Sequence, residues 1–332
     1  MRFKLGLTAR LTGHILSNRL KRNKRFALVL MLEPTFKCNL SCEGCGRIRE
    51  YSQDLDKTLS VKECLDAADE CGAPIVSICG GEPLIYPHIF ELVDGLTKKG
   101  RYIYLCTNGM LFKEKMDMFN ANGNLMVNFH IDGLEKTHGA ITGFPHAYKK
   151  VIEAIKAAKE KDFFVCTNTT IYKQTDPAEI KELFKNLDEL GVDGFLISPA
   201  YGYVHMGEGL FMNREELAVF FKSLGPEFKK YKFLNSPLYL EFAQGKRQLD
   251  CSPWANPTRN PLGWRSPCYQ LADKHFATYN ELLEKTDWDK YGPAGVAACC
   301  KECAVHCGFE PTSVLTGGSF GDIMKLIKWQ FF

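Results

Sequence analysis

Three thiols define the first chemical possibility. Cys38, Cys42 and Cys45 stand in a C-x3-C-x2-C spacing, so one short curl of backbone gathers three thiolates. Three thiolates on a four-iron cluster leave one iron without a protein ligand. That iron can chelate a substrate, as an open zinc site holds its water. The competing readings are a zinc site and chance clustering. Structural zinc wants four closed ligands, and the next Cys or His residues, His14 and Cys64, are far along the chain.

A second signal is Gly80-Gly81-Glu82-Pro83. Glycines at a strand end let a ligand approach the backbone closely, and Glu82 with the exposed backbone edge could hold an ammonium group. A Gly-Gly turn before a helix is common, so this tetrapeptide gains weight from its place one β–α unit after the three cysteines. A third signal lies near the C-terminus. Cys251 and Cys268 precede Cys300-x2-Cys303-x3-Cys307, and Cys299 has no motif partner. The other cysteines (Cys64, Cys71, Cys79, Cys106 and Cys166) fall in periodic segments, where a small buried hydrophobe is the ordinary role.

The chain has 332 residues, 45% hydrophobic and 24% charged, with 14 cysteines and a net charge of +3. That is a soluble globular composition with room for about two domains. The longest apolar run, Phe26 to Leu32, is far below the roughly 20 residues that span a bilayer. No secretory signal is visible, so a cytoplasmic location is expected, and thiols there serve metals, chemistry or packing. Residues 1–25 carry eight bases and no acid, a basic arm on a mildly acidic body that gives no reason to expect nucleic acid. Leu7, Leu11 and Ile15 recur among the arm's cations, and the segment 323–332 ends in Trp329, Phe331 and Phe332. Both are candidate contacts with the inner membrane surface. Packing of both ends on the body is the competing reading.

Elements that position these groups follow from periodicity. Strands are expected at 27–33, 75–79, 102–106, 125–131, 163–171 and 193–198. Helices are expected at 60–71, 87–99, 111–122, 146–161 and 177–190. Ser60, Glu63 and Gly72 supply a capping box and a stop. Six consecutive β–α units imply a parallel sheet with helices outside, an α/β partial (β/α)6 TIM-type barrel whose active groups sit at the strands' C-terminal ends. The expected organisation is an arm at 1–26, the barrel at 27–200, and a C-terminal extension at 201–332 with a cysteine-rich module.

The C-x3-C-x2-C and GGEP pair resembles the radical S-adenosylmethionine superfamily over about residues 27–200. The resemblance implies that Cys38, Cys42 and Cys45 hold a [4Fe–4S] cluster and that Gly80, Gly81, Glu82 and Pro83 contact the methionine amino group of S-adenosyl-L-methionine. It implies a 5′-deoxyadenosyl radical as the reactive species and a one-electron reductant of the flavodoxin or ferredoxin type. Asn108, Asn128, His130, Asp132, Asn168 and Thr170 are candidate ribose and carboxylate contacts, or polar caps at strand ends. The family usually carries an aromatic residue before the third cysteine; Gly44 stands there instead. Cys251, Cys268, Cys300, Cys303 and Cys307 resemble a shortened auxiliary-cluster extension, enough for one four-ligand iron–sulfur cluster with one thiol to spare; structural zinc is the alternative.

The strings LMLEPTFKCNLSCEGCGRIREY and CSPWANPTRNPLGW are similar to the hopanoid-biosynthesis radical enzymes, which implies addition of the adenosyl radical to the alkene of a hydrophobic triterpene. Another lipid alkene, or a peptide, is the alternative substrate. Cys106 is the candidate hydrogen-atom donor. Phe195, Tyr201, Tyr203, Phe211, Phe220, Phe221, Phe233, Tyr239 and Phe242 are candidates to line an apolar cavity, or ordinary core.

Overall fold

The structure, a computed structural model, describes residues 2–202, 209–315 and 319–331. Tyr203 and Phe332 lie outside the described residues. Six strands pair in parallel: β1 (Val29–Leu32), β2 (Ile75–Ile78), β3 (Tyr102–Thr107), β4 (Leu125–His130), β5 (Phe164–Ile171) and β6 (Gly194–Pro199). Their outward side chains are mostly Val, Ile, Leu and Phe, with Thr107, Thr167 and Thr169 buried among them, as expected of strands covered by helices. Leu30, Val76, Ile103, Leu105, Val127 and Val165 meet helix residues such as Leu92, Val151, Ile155 and Leu183 in one continuous core. On β3 the alternate residues Tyr102, Tyr104 and Cys106 are the less buried set, turned to the concave face.

Helix starts and stops follow local chemistry. Ser60 accepts from the Glu63 backbone, Glu63 returns the bond, and Gly72 ends the helix Val61–Cys71 at φ +66°. At 111–122 the expected helix is reduced to Phe112–Lys115 followed by a 3-10 turn at Met116–Met118. Asn122 explains the early stop: its Oδ1 accepts from the backbone of Asn124 and Leu125 at 2.8 and 3.0 Å, turning the chain into β4. A helix at Glu135–Thr142, ended by Gly143, was absent from the periodicity reading.

Two differences concern the ends of the chain. The C-terminal extension adds β7 (Thr258–Asn260), β8 (Gly263–Pro267) and β9 (Ala272–Phe276). β7 pairs in parallel with β1, and the sheet runs β6-β5-β4-β3-β2-β1-β7-β8-β9. The cysteine-rich segment therefore shares the barrel's sheet. The N-terminal helix, Leu5–Leu20, turns its predicted membrane-facing residues inward. Leu7 and Leu11 pack against Ile75, Tyr102, Met126 and Phe164, and Ile15 packs against Phe26 and Trp254. The helix covers the barrel at the end opposite the strands' C-termini. Trp329 is likewise spent on packing, its Nε1 donating to the Phe233 carbonyl at 3.0 Å. Among the described residues no helix is long and apolar enough to cross a membrane.

Candidate functional site

Cys38, Cys42 and Cys45 lie on the loop after β1, all partly exposed. The loop is held from behind by the second motif. Gly81 N–H donates to Thr35 O at 3.0 Å and Glu82 N–H to Lys37 O at 2.8 Å. A Cβ on Gly81 would stand 1.9 Å from Lys37 O, and one on Gly80, whose φ is +106°, 2.6 Å from Thr35 O. The two glycines thus admit the cysteine loop's own backbone at this contact. Glu82 is buried and accepts from Leu84 N–H (3.0 Å), Thr107 Oγ1 (2.8 Å) and Asn108 N–H (2.8 Å). Burial raises its pKa against the pull of those donors. Its side chain is thus tied to the chain itself.

Asn108 reaches the loop directly. Its Nδ2 donates to Asn39 Oδ1 at 2.7 Å and lies 3.8 Å from Cys38 Sγ. Burial pushes the Cys38 thiol up to about 11 and Cys42 higher still. The neighbouring thiolates add to both shifts, so the three sulfurs sit within one another's fields. A cationic iron cluster would reverse that penalty, since ligation deprotonates cysteine outright. Among the described residues no three His, Cys, Asp or Glu side chains converge on one point as ligands of a single ion do. A four-iron cube takes its thiolates at separate corners, and three cysteines on one loop can supply three of them.

The concave wall beside this loop is polar. Cys106 Sγ lies 3.3 Å from Ser77 Oγ and accepts from Asn128 Nδ2 at 3.6 Å. Burial raises its pKa, offset in part by those two neighbours, so it is a thiol at neutral pH. Asn128 on β4 pairs in register with Cys106 on β3, and His130 on β4 with Asn168 on β5. The Oδ1 atoms of Asn128 and Asn168 are buried without a hydrogen-bond partner. Such orphans are costly unless a ligand or water completes them.

His130 Nε2 meets Asp132 Oδ2 at 2.6 Å. Burial disfavours the imidazolium, but the Asp132 carboxylate outweighs it and the His130 pKa rises. Asp132 Oδ1 accepts from Thr170 N–H at 2.7 Å, and Asp132 N–H donates to His138 Nδ1 at 3.2 Å. Thr170 therefore meets this group through its backbone. The space beside Gly44 is taken by Tyr172: a Cβ at 44 would stand 2.2 Å from its ring.

Four of the C-terminal cysteines, Cys251, Cys268, Cys300 and Cys303, line one small cavity of about 30 Å³ with Tyr201, Gln270, Tyr291 and Phe309. Cys307 is buried beside them, and Cys251, Cys268, Cys303 and Cys307 all have raised pKa values, through burial first and in most cases through neighbouring thiolates as well. For Phe195, Phe220, Phe221, Phe233, Tyr239 and Phe242 the ordinary-core alternative holds. Phe195 packs on Phe184 and Phe233 at centroid distances of 5.4 and 5.8 Å, and Phe242 stacks on Phe309 at 4.3 Å. Phe220, Phe221 and Tyr239 are equally part of the core. Of the set, Tyr201 lines the cysteine cavity.

Two features escaped sequence reasoning. Ser77 is the single polar residue of β2, a signal that was there to read. The other is a buried charge network. Glu33 and Arg47, 0% and 4% exposed, pair at 2.8 Å. Arg47 and Arg265 both reach Glu50, at 3.1 and 2.7 Å, and Arg47 stacks on Tyr269 at 4.1 Å. The network joins the first cysteine loop to the residue after Cys268.

Residues 32–187 match the model of the Radical SAM superfamily, and residues 195–327 match a domain of unknown function, DUF3463. An AdoMet-dependent heme synthase of Methanosarcina barkeri is 32% identical over 163 residues, 48% of this chain and 46% of that protein. A pre-heme d1 synthase of Dinoroseobacter shibae is 29% identical over 51% of this chain and 43% of its own length. The matched stretch is thus under half the length of these relatives. Among solved structures, Streptococcus suis SuiB bound to the precursor peptide SuiA superposes with a TM-score of 0.64 at 16% identity, covering 95% of this chain and 76% of that one. anSMEcpe with bound AdoMet gives 0.63 at 17% identity, covering 92% and 99%. At such identities the likeness is one of fold.

Proposed function

We propose that this chain, whose residues 32–187 match the radical SAM model, is an S-adenosyl-L-methionine-dependent radical enzyme that adds the 5′-deoxyadenosyl group to the terminal alkene of the triterpene diploptene, forming adenosylhopane. Cys38, Cys42 and Cys45 would hold a [4Fe–4S] cluster, which with S-adenosylmethionine would supply a primary adenosyl radical. Gly80 to Pro83 offer their backbone edge to the methionine ammonium group. Asn128 and Asn168 present acceptors to ribose hydroxyls, and His130 with Asp132 orients the nucleoside.

The observation that carries the reading is the Cys106 thiol, protonated and set on the inner wall between Ser77 and Asn128. Carbon–carbon bond formation at the CH2 end of a 1,1-disubstituted alkene leaves a tertiary carbon radical. Cys106 S–H gives it a hydrogen atom, since an S–H bond is weaker than a tertiary C–H bond. The resulting thiyl radical needs one electron and one proton to return to thiol, supplied by a flavodoxin- or ferredoxin-type reductant and by water. Orientation of the alkene and exclusion of water are the protein's share of the catalysis.

The C-terminal thiols are read as ligands of an auxiliary iron–sulfur cluster, with structural zinc the alternative. A second functional reading comes from the relatives: a heme precursor or a peptide as substrate, losing a hydrogen atom to the adenosyl radical. The two differ in what leaves. Anaerobic incubation with diploptene, S-adenosylmethionine and reductant, followed by mass spectrometry, gives an adenosyl–triterpene adduct on the first reading. Free 5′-deoxyadenosine with an untouched alkene sinks it.

A further inference from the structure

The C-terminal helix, Phe320–Phe331, has one face committed and one free. Asp322 accepts from Arg247 at 2.6 Å, Trp329 donates to Phe233 O, and Gln330 Nε2 donates to Phe3 O and Thr8 Oγ1 at 2.8 and 2.9 Å. Phe320, Ile323, Met324, Ile327 and Phe331 recur at helical spacing on the other side, all exposed, Phe320 at 79%. That is a stripe about 100° wide.

The N-terminal helix meets it where Gln330 contacts Phe3 and Thr8, and its Arg19 guanidinium meets the carbonyl of Leu315, the last residue of the preceding helix, His306–Leu315. While Leu7 and Leu11 cover the barrel, Leu5, Leu16 and Leu20 stay exposed, Leu20 at 84%. Around these leucines stand exposed Lys4, Arg10, Arg19, Lys21, Arg22 and Lys24. Lys328 flanks the C-terminal stripe, exposed as well.

We infer that these two helices dock the enzyme on an anionic lipid bilayer, the apolar stripes entering the headgroup region and the cations meeting the lipid phosphates. The charge decides between occupants. A second copy of this chain seated on the same patch by a two-fold axis would bring two acid-free arms together, whereas an anionic surface neutralises them. The proposed apolar substrate gives such docking a purpose, and the inference rests on that reading for nothing else.

Co-sedimentation of the full chain with vesicles tests it, using phosphatidylcholine alone and phosphatidylcholine with one third phosphatidylglycerol. The protein should pellet with the anionic vesicles and be released by salt. An Ile323→Glu/Ile327→Glu variant should lose about tenfold or more of its partition, with unchanged circular dichroism. Its cleavage of S-adenosylmethionine in vesicle-free solution should also be unchanged, which keeps the outcome separate from the proposed reaction. Equal partition of wild type and variant, or equal binding to both vesicles, overturns the inference. So does a lipid-free dimer, seen by light scattering, that the variant dissolves.

Discussion

The two cysteine groups are built differently. The first is three partly exposed thiols on a strand-end loop, its backbone hydrogen-bonded to Gly81 and Glu82 and its edge facing a wall with two orphaned acceptors. The second is four thiols, partly exposed like the first three, around a cavity of about 30 Å³, with a fifth buried beside them and prolines and aromatics around. Three ligands beside unfilled polar groups suit a metal centre that takes a substrate; four or five in an apolar shell suit one that is closed.

The sharpest way to break that contrast is to remove one ligand from each. Cys38→Ala should reduce S-adenosylmethionine cleavage by about three orders of magnitude or more, to background. Circular dichroism should stay native, because the loop's anchors are backbone bonds. Cys303→Ala should lose about half the bound iron yet still bind S-adenosylmethionine at the first site. If it behaved as Cys38→Ala does, the contrast would be wrong.

Arg47 is the strut between the two groups. Arg47→Met leaves the Glu33 carboxylate buried and unpaired, and should cost about 3–5 kcal/mol in anaerobic urea unfolding. Adding Glu33→Gln should restore part of that loss, because no bare charge then remains. An unchanged unfolding midpoint in the single variant would show that the strut carries no load.

The smallest expected effect concerns the backing of the second group. Glu310 accepts from Ser236 N–H at 2.9 Å and Asn235 Nδ2 at 3.2 Å, and burial pushes its pKa up from 4.5 to about 7. A carboxyl with a raised folded pKa binds more protons folded than unfolded. Stability is therefore lost as pH rises from 4.5 towards 7. Glu310→Gln should flatten the melting-temperature profile over that range; a parallel profile would assign the slope to other groups.

Local signals made the barrel legible. Ser60, Glu63 and Gly72 bound one helix, and β2, β3 and β4 end just before Gly80, Asn108 and Asp132. The candidate site was legible because its residues sit at strand ends beside a spacing with few other uses. What sequence did not give is non-local. β7 joins β1 with Leu32 in register beside Arg259, the Glu33 N–H donating to Arg259 O at 2.9 Å, and no local pattern chooses that partner. The amphipathic period of the N-terminal helix identifies its apolar residues but not what they meet, and Leu7 meets the barrel. Phe195 and Phe233 read equally as cavity wall or core until their packing is seen. Arg47 and Arg265 look like surface charges until Glu33 and Glu50 are found beside them.

The central claim is that the adenosyl carbon is retained in product and that Cys106 supplies the final hydrogen. Turnover with diploptene in deuterium oxide tests both, because the thiol proton exchanges with solvent. Wild type should yield an adenosyl–triterpene carrying one deuterium on the former alkene carbon, and Cys106→Ala should form the adduct without that saturated, deuterated product. A saturated product without deuterium, or the same deuterated yield from Cys106→Ala, would contradict the account.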